Sequence, residues 1–72
     1  MERRNLKVFR VKHGLSQAQM AEKIGVARSV YAQAESGKRG CSASFLTKLQ
    51  NAFNVPDAEM WELTKIYDES EV

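Results

Sequence analysis

Two short helix-like segments, separated only by Gly25, occupy residues 16–39 of the sequence. Helices joined by so short a connection must cross steeply and approach closely, so the residue at their contact must be small, as Ala21 is. Glycine adopts a positive φ at little steric cost, which suits Gly25 to the sharp turn. The pattern therefore predicts two closely packed helices joined by a turn.

The ends of these two helices are also marked in the sequence. Ser16 and Gln19 have the spacing of a capping box, which begins a helix by satisfying its first backbone N–H groups. The second helix is predicted over about Arg28–Ser36, and Gly37 follows as a stop signal. The apolar residues expected to face inward are Met20, Ala21 and Ile24 on the first helix and Tyr31 and Ala34 on the second.

Three further segments repeat apolar residues at helical spacing. One helix is expected before Gly14, one after Ser42, which can cap it, and one after Pro56, which the first turn of a helix tolerates. Asn54 can form the left-handed exit from the fourth helix. The residues that share a face at helical spacing are Leu6, Phe9 and His13 in the first; Phe45, Leu46, Leu49, Ala52 and Phe53 in the second; and Met60, Leu63 and Tyr67 in the third. The sequence predicts an all-α, five-helix fold.

Length and composition restrict the class of protein. A chain of 72 residues with 43% hydrophobic content is expected to form a single domain, residues 1–72. No apolar run approaches the length of a membrane span, and the basic N-terminus lacks the apolar core of a signal peptide. One cysteine precludes an internal disulfide and fits a reducing environment, so we expect a cytoplasmic protein.

The sequence does not have the residues expected of an enzyme. It offers no plausible set of nucleophile, base and orienting group, and no glycine-rich phosphate loop. One cysteine and one histidine leave none of the usual Cys/His metal clusters. We therefore expect no catalytic activity, no metal and no cofactor.

Charge is distributed unevenly along the chain. Residues 1–48 contain ten Lys or Arg and three Glu, whereas residues 49–72 contain one Lys and six Asp or Glu. A basic body with an acidic end, including an acidic tail at 68–72, fits a polyanionic partner on one side of the molecule. A solvated charged surface would explain the same pattern.

The segment GLSQAQMAEKIGVARSVYAQAESGKR resembles the helix-turn-helix of lambdoid phage repressors and Cro proteins, also called the xenobiotic response element (XRE) family. The similarity covers roughly residues 6–61, with the helix-turn-helix at about 16–36. It implies a compact lambda-repressor-like domain that binds double-stranded DNA. One departure is Ala27, where the family usually has a Ser or Thr that caps the helix. The absence of that capping side chain can cost ~1 kcal/mol of helix stability.

The resemblance also implies which residues contact DNA. In this motif the second helix lies in the major groove with its N-terminal residues at base edges, and Arg suits guanine while Gln suits adenine. The candidate base-contacting residues are Arg28, Ser29, Ala32 and Gln33. Helix starts and basic or hydroxyl side chains suit phosphates. The candidate phosphate-contacting residues are Gln17, Lys38, Arg39, Ser42 and Ser44.

Two further expectations concern contacts between protein groups. In the family an arginine on the first helix and a glutamate on the third often pair, which implies a structural ion pair between Arg10 and Glu35. A homodimer would read both halves of a palindrome, and its interface is expected at Val55, Met60, Trp61 and Tyr67. Val8 and Val11 indicate a surface covered either by the fifth helix or by another subunit.

The sequence thus favours a repressor-like transcriptional regulator that binds a palindromic operator as a homodimer. Two alternatives remain open. One is a regulator of the antitoxin or restriction-controller type, with a protein partner such as a toxin or an anti-repressor. The other is a protein-interaction module that keeps the fold without binding DNA, against which the basic first 48 residues argue.

Overall fold

The structure, a computed structural model, describes residues 2–66. Its five helices, listed in chain order, are α1 (Arg4–Lys12), α2 (Gln17–Ile24), α3 (Arg28–Ser36), α4 (Ala43–Phe53) and α5 (Asp57–Leu63). The predicted all-α, five-helix architecture is therefore confirmed. The predicted acidic tail at 68–72 and the candidate interface residue Tyr67 lie outside the described residues.

The predicted start and end of α2 and the predicted exit from α4 match the observed backbone. The Ser16 hydroxyl accepts from the Gln19 N–H at 3.1 Å, and the Ser16 N–H donates to the Gln19 side chain at 2.9 Å, which completes the capping box. Gly25 ends α2 with φ +81°, and Asn54 ends α4 with φ 53°. A Cβ on Gly25 would meet no atom within 4 Å, so the need for glycine there is conformational rather than steric.

The core lies between α1, α4 and the α2–α3 pair, and α5 packs against α1 and α4. α2 packs on α3 and α4, while α1 packs on α3 and α5. Ala21, on α2, is almost fully buried, as expected of a small contact residue. The buried apolar residues are Leu6, Met20, Ala21, Ile24, Tyr31, Ala34, Phe45, Leu49, Val55 and Leu63. The inward-facing residues predicted for α2 and α3 are all among them.

The C-terminal part of the fold departs from the prediction in two ways. α5 was expected to continue to Tyr67 but ends at Leu63, where the Thr64 hydroxyl bonds the Met60 carbonyl at 2.8 Å. Val55, expected at a dimer surface, is only 7% exposed and belongs to the core. The left-handed turn at Asn54 folds the chain back and directs Val55 inward, with Gln50 donating to the Val55 carbonyl at 3.0 Å.

Other apolar residues remain on the surface. Trp61 is 65% exposed, and its ring lies 5.1 Å from the Lys65 ammonium. Val8 and Val11 are also exposed, so α5 is not the cover that their pattern indicated. Within residues 2–66, no helix is both long enough and apolar enough to cross a bilayer.

Candidate nucleic-acid interface

The third helix presents one polar face to solvent. Arg28, Ser29 and Gln33 are exposed, and Ala32 is half-buried beside them. Residues four apart lie on the same helical face, so Arg28 stands above Ala32 and Ser29 above Gln33. The buried residues of α3 are Tyr31, Ala34 and Glu35. The four residues predicted to contact bases therefore form one accessible surface, which we call the α3 face.

An ion pair fixes α3 to α1. Arg10 Nε donates to Glu35 Oε2 at 2.9 Å and Nη2 donates to Oε1 at 3.2 Å, so the guanidinium grips both carboxylate oxygens. The two side chains are 13% and 6% exposed, respectively. The remaining nitrogen, Nη1, donates to the Leu15 carbonyl at 2.8 Å. This is the pairing implied by the family resemblance, and it leaves Arg10 engaged inside the protein.

The contacts of this ion pair shift the pKa values of Arg10, of Glu35 and of the neighbouring Tyr31. Burial acts to raise the pKa of Glu35, but the hydrogen bonds led by that from Arg10 outweigh it and leave the pKa below its ordinary value. The hydrogen bond to Glu35 raises the pKa of Arg10. Burial, followed by the nearby Glu35 carboxylate, raises the pKa of Tyr31. The carboxylate is thus held in its charged form, which keeps α3 attached to α1.

Gln17 joins the same network. Its side-chain Nε2 donates to Glu35 Oε1 at 3.3 Å, and the residue is half-buried at the first turn of α2. A phosphate contact predicted for Gln17 is consequently best made by its backbone N–H at the helix start. That contact remains a prediction.

The other predicted phosphate contacts lie after α3 and at the start of α4. Lys38, Arg39, Ser42 and Ser44 are all exposed. Ser42 caps α4, since its hydroxyl accepts from the Phe45 N–H at 3.1 Å. These residues and the α3 face come from one continuous stretch of chain, residues 28–44. Lys38 and Arg39 follow α3, and the hydroxyl groups of Ser42 and Ser44 lie at the start of α4. We call these four residues the border, and their phosphate contacts remain a prediction.

A buried arginine, missed by the sequence analysis, holds this border in place. Arg3 is 5% exposed, although it counted there only as part of the basic charge. Its Nη1 donates to the Ala34 carbonyl at 2.6 Å and to the Arg39 carbonyl at 2.9 Å, and its Nε donates to the Thr64 carbonyl at 2.9 Å. The cation therefore lies at the C-terminal ends of α3 and α5, where helix dipoles favour positive charge.

Two contacts of long basic side chains were also not foreseen. Arg39 Nε donates to Gln33 Oε1 at 3.0 Å, which links the loop after α3 to a candidate base-contacting residue. Lys48 Nζ donates to the Gly25 carbonyl at 3.3 Å, at the turn between α2 and α3. The basic composition indicated an anionic partner, but only the fold reveals which cations also bind protein groups.

Two helices that meet at a left-handed glycine, with the second presenting a polar face, define a helix-turn-helix protein. The chain belongs to the helix-turn-helix family of the Cro/C1 type, also called the XRE family, whose model matches residues 6–60. It is similar to a protein of Archaeoglobus fulgidus described as an uncharacterized HTH-type transcriptional regulator. The two are 30% identical over 70 residues, which cover 97% of this chain and 94% of the relative. Fold and family together are those of a DNA-binding regulator.

Proposed function

We propose that this protein is a sequence-specific transcriptional regulator, repressor-like in action, that inserts α3 into the major groove of a palindromic operator as a homodimer. The observation that carries the proposal is the α3 face, exposed on a helix that the Arg10–Glu35 ion pair anchors to α1. A reading helix must present its side chains in a fixed orientation, and this anchor supplies it. In this proposal the protein catalyses no reaction and acts in the cytoplasm.

In this arrangement each residue of the α3 face makes a different kind of contact with the bases, and residues outside it bind phosphates. Arg28, at the first position of α3, suits the paired acceptors of guanine in the major groove. Ser29 and Gln33 add polar contacts, and the Ala32 methyl suits thymine or allows close approach. Lys38, Arg39, Ser42 and Ser44 bind phosphates on one side of the groove, and the start of α2 at Gln17 binds them on the other.

A homodimer is proposed because a single helix-turn-helix reads too few base pairs to discriminate among genomic sites. The proposed interface is centred on exposed Trp61, with half-buried Met60 beside it. Val55 leaves this set because it belongs to the core. Trp61 is not one of the residues proposed to contact DNA.

The proposal is tested by selection from duplexes that carry a randomised segment of about 30 base pairs, roughly three helical turns. Purified wild-type protein should enrich a palindromic motif whose half-site centres are ~34–36 Å apart. Lys38→Ala should select the same motif with weaker binding and with a salt slope reduced by about one unit per phosphate lost. Failure of the wild type to enrich any motif contradicts the proposal and favours a protein-interaction module.

A further inference from the structure

The contact between Arg39 and Gln33 joins a cation outside α3 to the last residue of the α3 face. Arg39 Nε lies 3.0 Å from Gln33 Oε1, and both side chains are exposed. The guanidinium of arginine has only donors, so the Gln33 amide must turn its oxygen toward Arg39. The amide nitrogen of Gln33, which carries two N–H donors, then points away from Arg39.

The backbone of Arg39 is held at both of its polar groups. Its N–H donates to the Gln33 carbonyl at 3.2 Å, and its carbonyl accepts from buried Arg3 at 2.9 Å. Arg3 is itself fixed by the carbonyls of Ala34 and Thr64. The Arg39 side chain therefore starts from a backbone position that the fold determines, which makes its contact with Gln33 a preorganised feature of the loop.

This contact changes what Gln33 can recognise. Bidentate recognition of adenine requires the amide oxygen to accept from N6 while the amide nitrogen donates to N7. Arg39 occupies one of the two acceptor directions of that oxygen and holds the oxygen on the side of the amide that faces the loop after α3. A base edge made only of acceptors, as guanine presents with N7 and O6, needs nothing from the oxygen, because an amide N–H can donate to O6, where adenine carries a donor instead.

We propose that Arg39 is a positioning residue that sets the base preference of Gln33, directing it to guanine instead of the adenine expected for an unrestrained glutamine. The inference rests on the proposed function, because it assumes that the α3 face reads bases. It assigns Arg39 a role in specificity in addition to any phosphate contact. Its role differs from that of Lys38, the adjacent exposed cation, for which only a phosphate contact is proposed.

The test repeats the selection from randomised duplexes with four proteins: wild type, Gln33→Ala, Arg39→Ala and the matched control Lys38→Ala. Gln33→Ala identifies the base pair that Gln33 reads, as the position at which preference disappears. At that position wild type and Lys38→Ala should select guanine. Arg39→Ala should lower the preference for guanine over adenine by about fivefold or more, while preferences at other positions remain.

The outcomes separate this inference from the function on which it rests. No enriched motif for the wild type overturns both. An enriched motif with no position that depends on Gln33, or with a base other than guanine there, overturns only the inference. The same holds if Arg39→Ala selects as the wild type does, or if Lys38→Ala produces the same change in preference as Arg39→Ala.

Discussion

Arg10 and Glu35 form a two-pronged ion pair that joins the first helix to the third, with Nε and Oε2 separated by 2.9 Å. Glu35 is seven positions after Arg28, so the pair lies on the same side of α3 as Arg28 but at the other end of the helix, where it is buried against α1. Its three charge-assisted contacts, including that of Arg10 with the Leu15 carbonyl, leave little freedom for α3 to rotate or withdraw. The orientation of the α3 face therefore depends on a contact that does not itself touch DNA.

Removing one partner of this pair should destabilise the fold. Glu35→Ala leaves the Arg10 guanidinium largely buried without its carboxylate, and we expect a loss of about 3 kcal/mol, near the lower end for a buried pair. Arg10→Met combined with Glu35→Leu should recover much of that loss, because no charge is then left buried. Thermal melts of the three variants measure this. Small and additive effects, as for an exposed pair, would be inconsistent with the observed geometry.

Acid should weaken the same contact. The pKa of Glu35 is lower in the folded protein than its ordinary value of 4.5, so the unfolded chain binds the proton more tightly. The stabilisation is complete above pH 4.5 and is lost as the pH falls through the lowered folded pKa. Urea titrations between neutral and acidic pH should show a steeper loss of stability for the wild type than for Glu35→Gln. Parallel curves would show that Glu35 does not contribute to the acid response.

Arg3 should be important to stability despite having no carboxylate partner among its described contacts. Arg3→Met keeps the apolar stem but leaves the carbonyls of Ala34, Arg39 and Thr64 without their shared donor. Hydrogen bonds to charged groups contribute ~1.5–3 kcal/mol each in favourable cases, and we expect a total loss of about 2–4 kcal/mol. Lys7→Met, at an exposed position of α1, serves as the control in the same denaturation experiment. Equal small losses for both variants would contradict this role for Arg3.

The sequence predicted those features that depend on neighbouring residues. Ser16 and Gln19 are three positions apart, and the exit at Asn54 depends on the local backbone, so both could be identified in advance. The contacts of Arg3 span 31 to 61 positions and depend on how the N-terminus meets the ends of α3 and α5. Nothing in the local pattern distinguishes Arg3 from a surface cation.

The dependence on long-range contacts also explains why the interface prediction was wrong for Val55, while Trp61 is exposed as expected. Val55 and Trp61 are both apolar residues near the fifth helix, and both were expected at a subunit interface. The turn at Asn54 directs Val55 into the core, whereas Trp61 remains on the outer side of α5. Similarly, the Arg39–Gln33 contact crosses the end of a helix, where helical spacing rules no longer indicate which side chains meet.

The proposed dimer predicts that exposed Trp61 controls self-association. Wild-type protein should sediment as a dimer at micromolar concentration, and Trp61→Ala should shift the equilibrium toward monomer because a large apolar contact is lost from the interface centre. Val11→Ala, an exposed apolar substitution on α1, tests whether that helix contributes at the edge. A wild type that is monomeric both alone and on a palindromic duplex would refute the dimer. A Trp61→Ala protein that remains dimeric would place the interface elsewhere.

The central claim, that the α3 face reads base sequence, is tested most directly by the affinity ratio between the selected duplex and a scrambled duplex at fixed salt. For the wild type we expect a ratio of about 10³ or more. Arg28→Ala should reduce that ratio through a loss of ~1–3 kcal/mol on the selected duplex, with little change on the scrambled one. An equal loss of affinity on both duplexes would make Arg28 a phosphate contact and contradict the account.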